Sequence, residues 1–164
     1  MSRDHGPWRP VSAAALEWSP EGTPHSPGFG DVYYSRDNGL AESRYLFLEG
    51  NGLPDRWANW PGRRFCIGET GFGTGLNFLL TWQAWRESTG TRPDLHYLSV
   101  EKYPLSKADL ARAAANWPEL EPLASALLQR YPGLVPGQHR LLFDGGRLTL
   151  DLWWEDVADA MPDL

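Results

Sequence analysis

The run Glu69-Thr70-Gly71-Phe72-Gly73-Thr74-Gly75 puts three glycines at alternate positions, with a carboxylate two residues before the first. It follows a short apolar segment, Phe65-Cys66-Ile67-Gly68, and opens a helical pattern that reads from Thr74 to Glu87. Glycines between a strand and a helix let the backbone turn sharply and meet a ligand with no Cβ in the way. A phosphate-binding P-loop would end in GK[ST]; here Leu76 and Asn77 follow Gly75 and no lysine is near. A dinucleotide fingerprint is G-x-G-x-x-G; here the third glycine comes one residue early. An acid at the turn also opposes a pyrophosphate, which needs an open helix N-terminus. That acid suits the cationic sulfonium and ammonium of S-adenosylmethionine. A turn whose glycines serve packing alone is the bland alternative.

Two further acids stand at the ends of later strand patterns. Glu101 closes Leu95-His96-Tyr97-Leu98-Ser99-Val100; a carboxylate there has two oxygens to accept hydrogen bonds from a ribose diol. Asp156 follows Trp153-Trp154-Glu155, where it could meet an adenine amino group or simply serve a helix N-terminus. Glu69, Gly71, Gly73, Gly75, Glu101 and Asp156 are thus the candidate cofactor-binding residues, around an adenosyl ligand.

The elements that must position them follow from pattern and punctuation. Residues 1–30 hold five prolines and four glycines and read as an irregular arm, pinned by Trp8, Trp18 and Phe29. Asp31 to Tyr34 and Arg44 to Leu48 read as two strands of a hairpin around Asn38-Gly39. Residues 50–62 read as loop or short helix. From Arg64 onward strand and helix alternate: a helix through Leu76, Leu79 and Leu80, a strand at 95–100, and a helix opened by the capping box Ser106-x-x-Asp109. Another helix follows from Leu120 to Tyr131, then strands at 139–143 and 147–154 flanking Asp144-Gly145-Gly146. Alternation of this kind implies a parallel sheet with right-handed crossovers and ligands at the carboxyl ends of its strands. The division expected is an N-terminal arm and hairpin over 1–62 and a Rossmann-like domain over 63–164.

Length and composition bound the answer. The 164 residues are 41% hydrophobic and 22% charged, as expected of one globular domain with an extension. One cysteine excludes an internal disulfide, and with four scattered histidines it makes a poor zinc set, so no metal is expected. No apolar run nears the ~20 residues of a membrane span, and MSRDHGPWRP lacks a signal-peptide core; the expected compartment is the cytoplasm. The net charge of −6 is local: six acids and one base lie from Asp144 onward, against 15 acids and 14 bases before. The charge neither requires nor excludes an RNA partner.

Several blocks together carry a resemblance. They are Asp31-Val32-Tyr33-Tyr34-Ser35-x-Asp37-Asn38-Gly39-Leu40-x-Glu42-x-Arg44-Tyr45-x-Phe47-Leu48, the glycine turn through Phe78, and Glu101-Lys102-x-Pro104-Leu105. Trp117-Pro118-Glu119-Leu120, His139 to Leu142 and Leu148 to Trp153 complete them. In this order they resemble the methyltransferase domain of the bifunctional tRNA 5-methylaminomethyl-2-thiouridine biosynthesis proteins, from about residue 16 to the C-terminus. The resemblance implies a class I S-adenosylmethionine methyltransferase acting on the aminomethyl group of a tRNA wobble uridine. FAD would belong to a C-terminal oxidase domain outside these residues. Tyr34, Asn38 and Glu42 would border the substrate side by position alone. The family's next strand carries an aspartate-bearing D-x-x-L-D-G-F-like motif beyond Leu164. The expectation is therefore an α/β, Rossmann-like parallel sheet, incomplete, with an N-terminal β-hairpin extension and weak or no catalysis by this piece alone. No catalytic residue is named, and the oligomeric state is left open.

Two rivals remain at this point. A nicotinamide-dependent oxidoreductase would need a different glycine spacing. A non-catalytic cofactor-binding remnant, or a Trp-rich docking face, would need no second half.

Overall fold

The computed structural model describes residues 10–28, 31–33 and 39–163. Three short strands come first: β1 (Glu17–Trp18), β2 (Pro24–Ser26) and β3 (Asp31–Val32), paired antiparallel in that order. The N-terminal extension is thus antiparallel as expected and β3 falls on the expected first strand, but it pairs with β2, and β1 and β2 lie upstream, inside the segment that reads as an irregular arm. The expected second strand is helical. Helix α1 (Gly39–Ser43) runs on as a π-helix through Arg44–Glu49, and the Gly50 N–H donates to Tyr45 O at 2.8 Å, one residue beyond an α-helical bond. A short apolar run such as Tyr45-Leu46-Phe47-Leu48 does not distinguish strand from helix by periodicity. Burial shows what decided it: Tyr45 and Leu46 are both exposed while Leu48 is buried, which no alternating strand gives.

Helix α2 (Leu53–Ala58) leads to β4 (Arg64–Thr70), α3 (Leu76–Glu87), β5 (Asp94–Glu101), α4 (Lys107–Ala114), α5 (Glu121–Arg130), β6 (Gly137–Phe143), β7 (Leu148–Trp154) and α6 (Val157–Ala160). The order across the sheet is β4-β5-β7-β6. β4, β5 and β7 are parallel, and β6 returns antiparallel beside β7 through Asp144-Gly145-Gly146. Parallel pairing puts Thr70, Glu101 and Trp154 at one end and Arg64, Asp94 and Leu148 at the other. No strand pairs with the outer edge of β4 among the described residues.

One face of the sheet carries the core. Phe78, Trp85, Tyr97, Leu148 and Leu150 are fully buried there, with Trp154 beside them. Helix α3 is apolar on nearly every side, as its Leu76, Leu79, Leu80, Phe78, Trp82 and Trp85 pattern predicts, because it lies between the sheet and the N-terminal helices. Three fully buried indoles keep hydrogen-bond partners: Trp85 Nε1 donates to Pro93 O at 2.9 Å, Trp57 Nε1 to Ser88 Oγ at 2.9 Å, and Trp154 Nε1 to Gly133 O at 3.1 Å. The other face is largely bare. Cys66, expected in a buried strand, is exposed, as are Gly68, Arg140 and Leu142. Asp151 on that face is nonetheless only 1% exposed. Arg140 grips it with two bonds of 2.8 and 2.7 Å, and His96 Nε2 lies 2.7 Å away. Burial opposes its ionisation, but those hydrogen bonds outweigh it and hold the carboxyl below its ordinary range.

The N-cap half of the pattern at α4 forms as read: Ser106 Oγ accepts the Asp109 N–H at 3.1 Å, while the Asp109 carboxylate accepts from Ser106 Oγ at 2.7 Å. Ser106→Ala is expected to cost about 1 kcal/mol, seen as a lower urea midpoint with an unchanged m-value; an unchanged midpoint would show that the cap carries no stability.

Candidate functional site

The glycine turn sits at the carboxyl ends of β4 and β5. Gly71, Gly73 and Gly75 all have positive φ, at 83°, 53° and 73°, a region that side chains with a Cβ avoid. Their surroundings differ. A Cβ on Gly75 would meet the Phe72 ring at 3.0 Å, so this glycine serves helix packing. A Cβ on Gly73 would meet the Tyr33 ring at 3.2 Å. A Cβ on Gly71 would meet nothing within 4 Å among the described residues. Packing thus accounts for glycine at Gly75, whereas at Gly71 the positive φ alone calls for it.

Glu101 fastens this turn. Its Oε2 accepts the Gly73 N–H at 3.1 Å and its Oε1 accepts the Tyr103 N–H at 2.8 Å. The Gly71 N–H donates to Val100 O at 2.8 Å, which continues the β4–β5 pairing into the turn. Two clefts open on either side of this carboxylate. One, of about 200 Å³, is lined by Gly71 to Thr74, Leu76, Asn77 and Ser43. The other, of about 230 Å³, is lined by Thr70, Val100, Lys102, Tyr103 and Glu155 to Val157. Both are lined by Tyr33, Gly71 and Glu101, which makes them two lobes of one groove.

Glu69 lies beneath the turn, outside both lobes. Its carboxylate accepts from Asn77 Nδ2 at 3.1 Å and from Ser99 Oγ at 2.8 Å. Burial pushes its pKa up to about 7; the Ser99 and Asn77 hydrogen bonds oppose the rise and the Glu101 charge adds to it. Asp156 lines the second lobe, but both its oxygens are engaged. Oδ1 caps α6 through the Ala158 N–H at 2.9 Å, and Oδ2 pairs with Lys102 Nζ at 2.8 Å. The Lys102 bond, then the cap, holds its pKa low. Of the positions expected on the substrate side, Tyr34 and Asn38 fall outside the described residues. Glu42 is exposed on α1 and lines neither lobe, whereas its neighbour Ser43 does.

The chain is 50% identical to the tRNA 5-methylaminomethyl-2-thiouridine biosynthesis bifunctional protein MnmC of Aliivibrio fischeri, over its whole length. It is 52% identical to the MnmC proteins of Vibrio campbellii and Aeromonas salmonicida, over 93% and 92% of the chain. The chain is a relative of the N-terminal part of MnmC. It spans about a quarter of the length of these MnmC proteins, between 23% and 25%. The crystal structure of MNMC2 from Aquifex aeolicus superposes with a TM-score of 0.64 over 93% of this chain and 46% of that one. At 21% identity that match bears on the fold alone. No family model matches the chain.

Against the MnmC resemblance, sequence reasoning missed Tyr33, Ser43 and Asn77. Tyr33 is half-buried at the junction of the lobes, and burial, then the Glu101 and Asp109 charges, raises its pKa. Tyr33 stands in the same sequence block as the expected Tyr34. The raised Glu69 carboxyl has a thermodynamic signature. It binds its proton more tightly folded than unfolded, so its contribution to stability falls as pH rises from about 4.5 to about 7 and is flat above. Glu69→Gln is expected to flatten that fall and to stabilise the ligand-free protein at pH 8, by on the order of 3 kcal/mol at most. Urea midpoints of both proteins at pH 5, 6, 7 and 8 check this; parallel pH profiles would refute it.

Proposed function

We propose that this chain binds S-adenosylmethionine and supplies the cofactor-binding part of a methyltransferase that acts on the wobble uridine of tRNA, converting 5-aminomethyl-2-thiouridine to 5-methylaminomethyl-2-thiouridine. The observation that carries the reading is the two-lobed groove around Glu101, walled by Gly71. The relatives' names supply the substrate, and the reading places the chain in the cytoplasm with its tRNA.

When bound, S-adenosylmethionine offers a methyl group activated by its sulfonium. The residues of this chain bind and orient it. Each Glu101 oxygen already accepts one backbone N–H and keeps a lone pair for a ribose hydroxyl. Gly71 leaves the backbone approachable at the turn. The Glu101 carboxylate makes the turn hospitable to a cation and hostile to a pyrophosphate, which favours this cofactor over a nicotinamide dinucleotide. Lys102 and Asp156 wall the adenine-side lobe as an ion pair, so Asp156 contributes to recognition with a carboxylate already held in place. Methyl transfer to an amine needs the amine neutral and in line; this reading assigns no residue as its proton acceptor. FAD chemistry, implied for an oxidase part of bifunctional relatives, is assigned to none of these residues.

Titration calorimetry with S-adenosylhomocysteine tests the reading. Binding is expected, with Glu101→Ala weakening it by roughly 1–3 kcal/mol, about 5- to 150-fold. Unchanged affinity in a folded variant removes Glu101 from the site. Preference for NAD over S-adenosylhomocysteine would revive the oxidoreductase reading.

A further inference from the structure

A second cleft, of about 530 Å³, lies at the opposite end of the sheet, where the parallel strands begin. Its walls come from three connections: Trp60 to Arg63 before β4, Thr91 to Asp94 at the start of β5, and Arg147 before β7. The chemistry is that of guanidinium groups and a flat ring. The Arg63 side chain is 94% exposed and Arg147 is 47% exposed. Trp60 is 46% exposed, its Nε1 donating to Arg64 O at 2.7 Å, so the ring is held in place while its surface stays open. Arg92 lines the same cleft and stacks over Trp85, its carbon 4.4 Å from the ring centre.

One acid serves this cluster. Asp94 accepts from Arg147 Nε at 3.1 Å and lies 3.5 Å from Arg63 Nε. Arg147 Nη2 also donates to Arg92 O at 2.9 Å. Asp94 therefore fixes two guanidinium groups and neutralises one charge, leaving the cleft positive. The sign runs against the chain, whose net charge is −6. The segment Arg56 to Arg64 holds three arginines and no acid. Clustered arginines with an exposed aromatic ring match what a nucleic-acid backbone and an unstacked base require.

We infer that this cleft is a phosphate-backbone contact site for the RNA substrate, separate from the cofactor groove. That the RNA is tRNA rests on the proposed function. The cleft and the glycine turn stand at opposite ends of seven-residue strands, about 23 Å apart at about 3.3 Å per residue. A substrate held at both places would lie along the molecule, with its wobble base at one end and a remote stretch of backbone at the other.

The test uses fluorescence anisotropy with an end-labelled, unmodified tRNA transcript, over a series of salt concentrations. Arg63→Glu is expected to weaken binding at least fivefold and to lower the slope of log K against log salt by about one. Arg63→Lys, which keeps the charge, is expected to bind within about twofold of the parent chain. Calorimetry with S-adenosylhomocysteine on the same variants reads the cofactor groove separately and is expected to be unchanged. Equal tRNA affinity and equal salt slope in Arg63→Glu overturn the inference while leaving the cofactor reading intact, and absence of tRNA binding by the parent chain overturns it too. Loss of S-adenosylhomocysteine binding by the parent chain overturns the cofactor reading alone; a salt-dependent defect of Arg63→Glu would still support the cleft.

Discussion

The carboxylate of Glu101 joins two pieces of backbone that would otherwise be held apart only by loop stiffness. Through Gly73 it pins a left-handed turn, and through Tyr103 it fixes the start of the next connection. Hydrogen bonds to a charged acceptor are stronger than neutral ones, and both here end on backbone amides. The groove's shape follows from that clasp. Without it the glycines, which have the most freedom to lose on ordering, would have little reason to hold their three positive φ angles. The acid proposed to meet a ligand is also the acid that shapes its seat, so on that proposal binding and folding share one side chain.

The parallel half of the fold was legible because its signals are redundant. β4, α3 and β5 each carry an apolar pattern with glycine or proline boundaries, and the Ser106 cap and the Asp144-Gly145-Gly146 reversal are local chemistry with one structural outcome. The N-terminal half was not. Two- and three-residue strands such as β1 and β2 leave no periodicity to read, and prolines mask them. Arg44 to Leu48 is helical rather than a strand because aromatic and leucine content is not the same as alternation: Phe47 and Leu48 are adjacent, and both turn inward. In the site, residue types at strand ends were readable, but hydrogen-bond commitments were not. Nothing in Trp154-Glu155-Asp156 shows that Lys102 claims the carboxylate. Nothing in Asp31 to Val32 shows that Tyr33 stands at the junction of the lobes.

The molecule is electrostatically two-ended. Carboxylates gather where the parallel strands finish, and guanidinium groups gather where they start. This is the reverse of a sheet that greets phosphates at its carboxyl end through helix N-termini alone. It is consistent with a small cationic ligand at one pole and a polyanion at the other. Asp151 lies between the poles and is neutralised by Arg140 on the bare face, so it adds little field of its own.

That bare face also holds the chain's one thiol. Cys66 points from the middle of β4 into solvent, on the edge strand and away from the core. A thiol so placed can be labelled under native conditions without opening the interior, which makes its alkylation rate a ruler for coverage. Any segment, partner or ligand that comes to lie on the second side of the sheet will slow that rate. The groove and the basic cleft lie at the two ends of the strands, so ligands confined to them should leave it alone. A single residue thus separates events on the flank of the sheet from events at its poles.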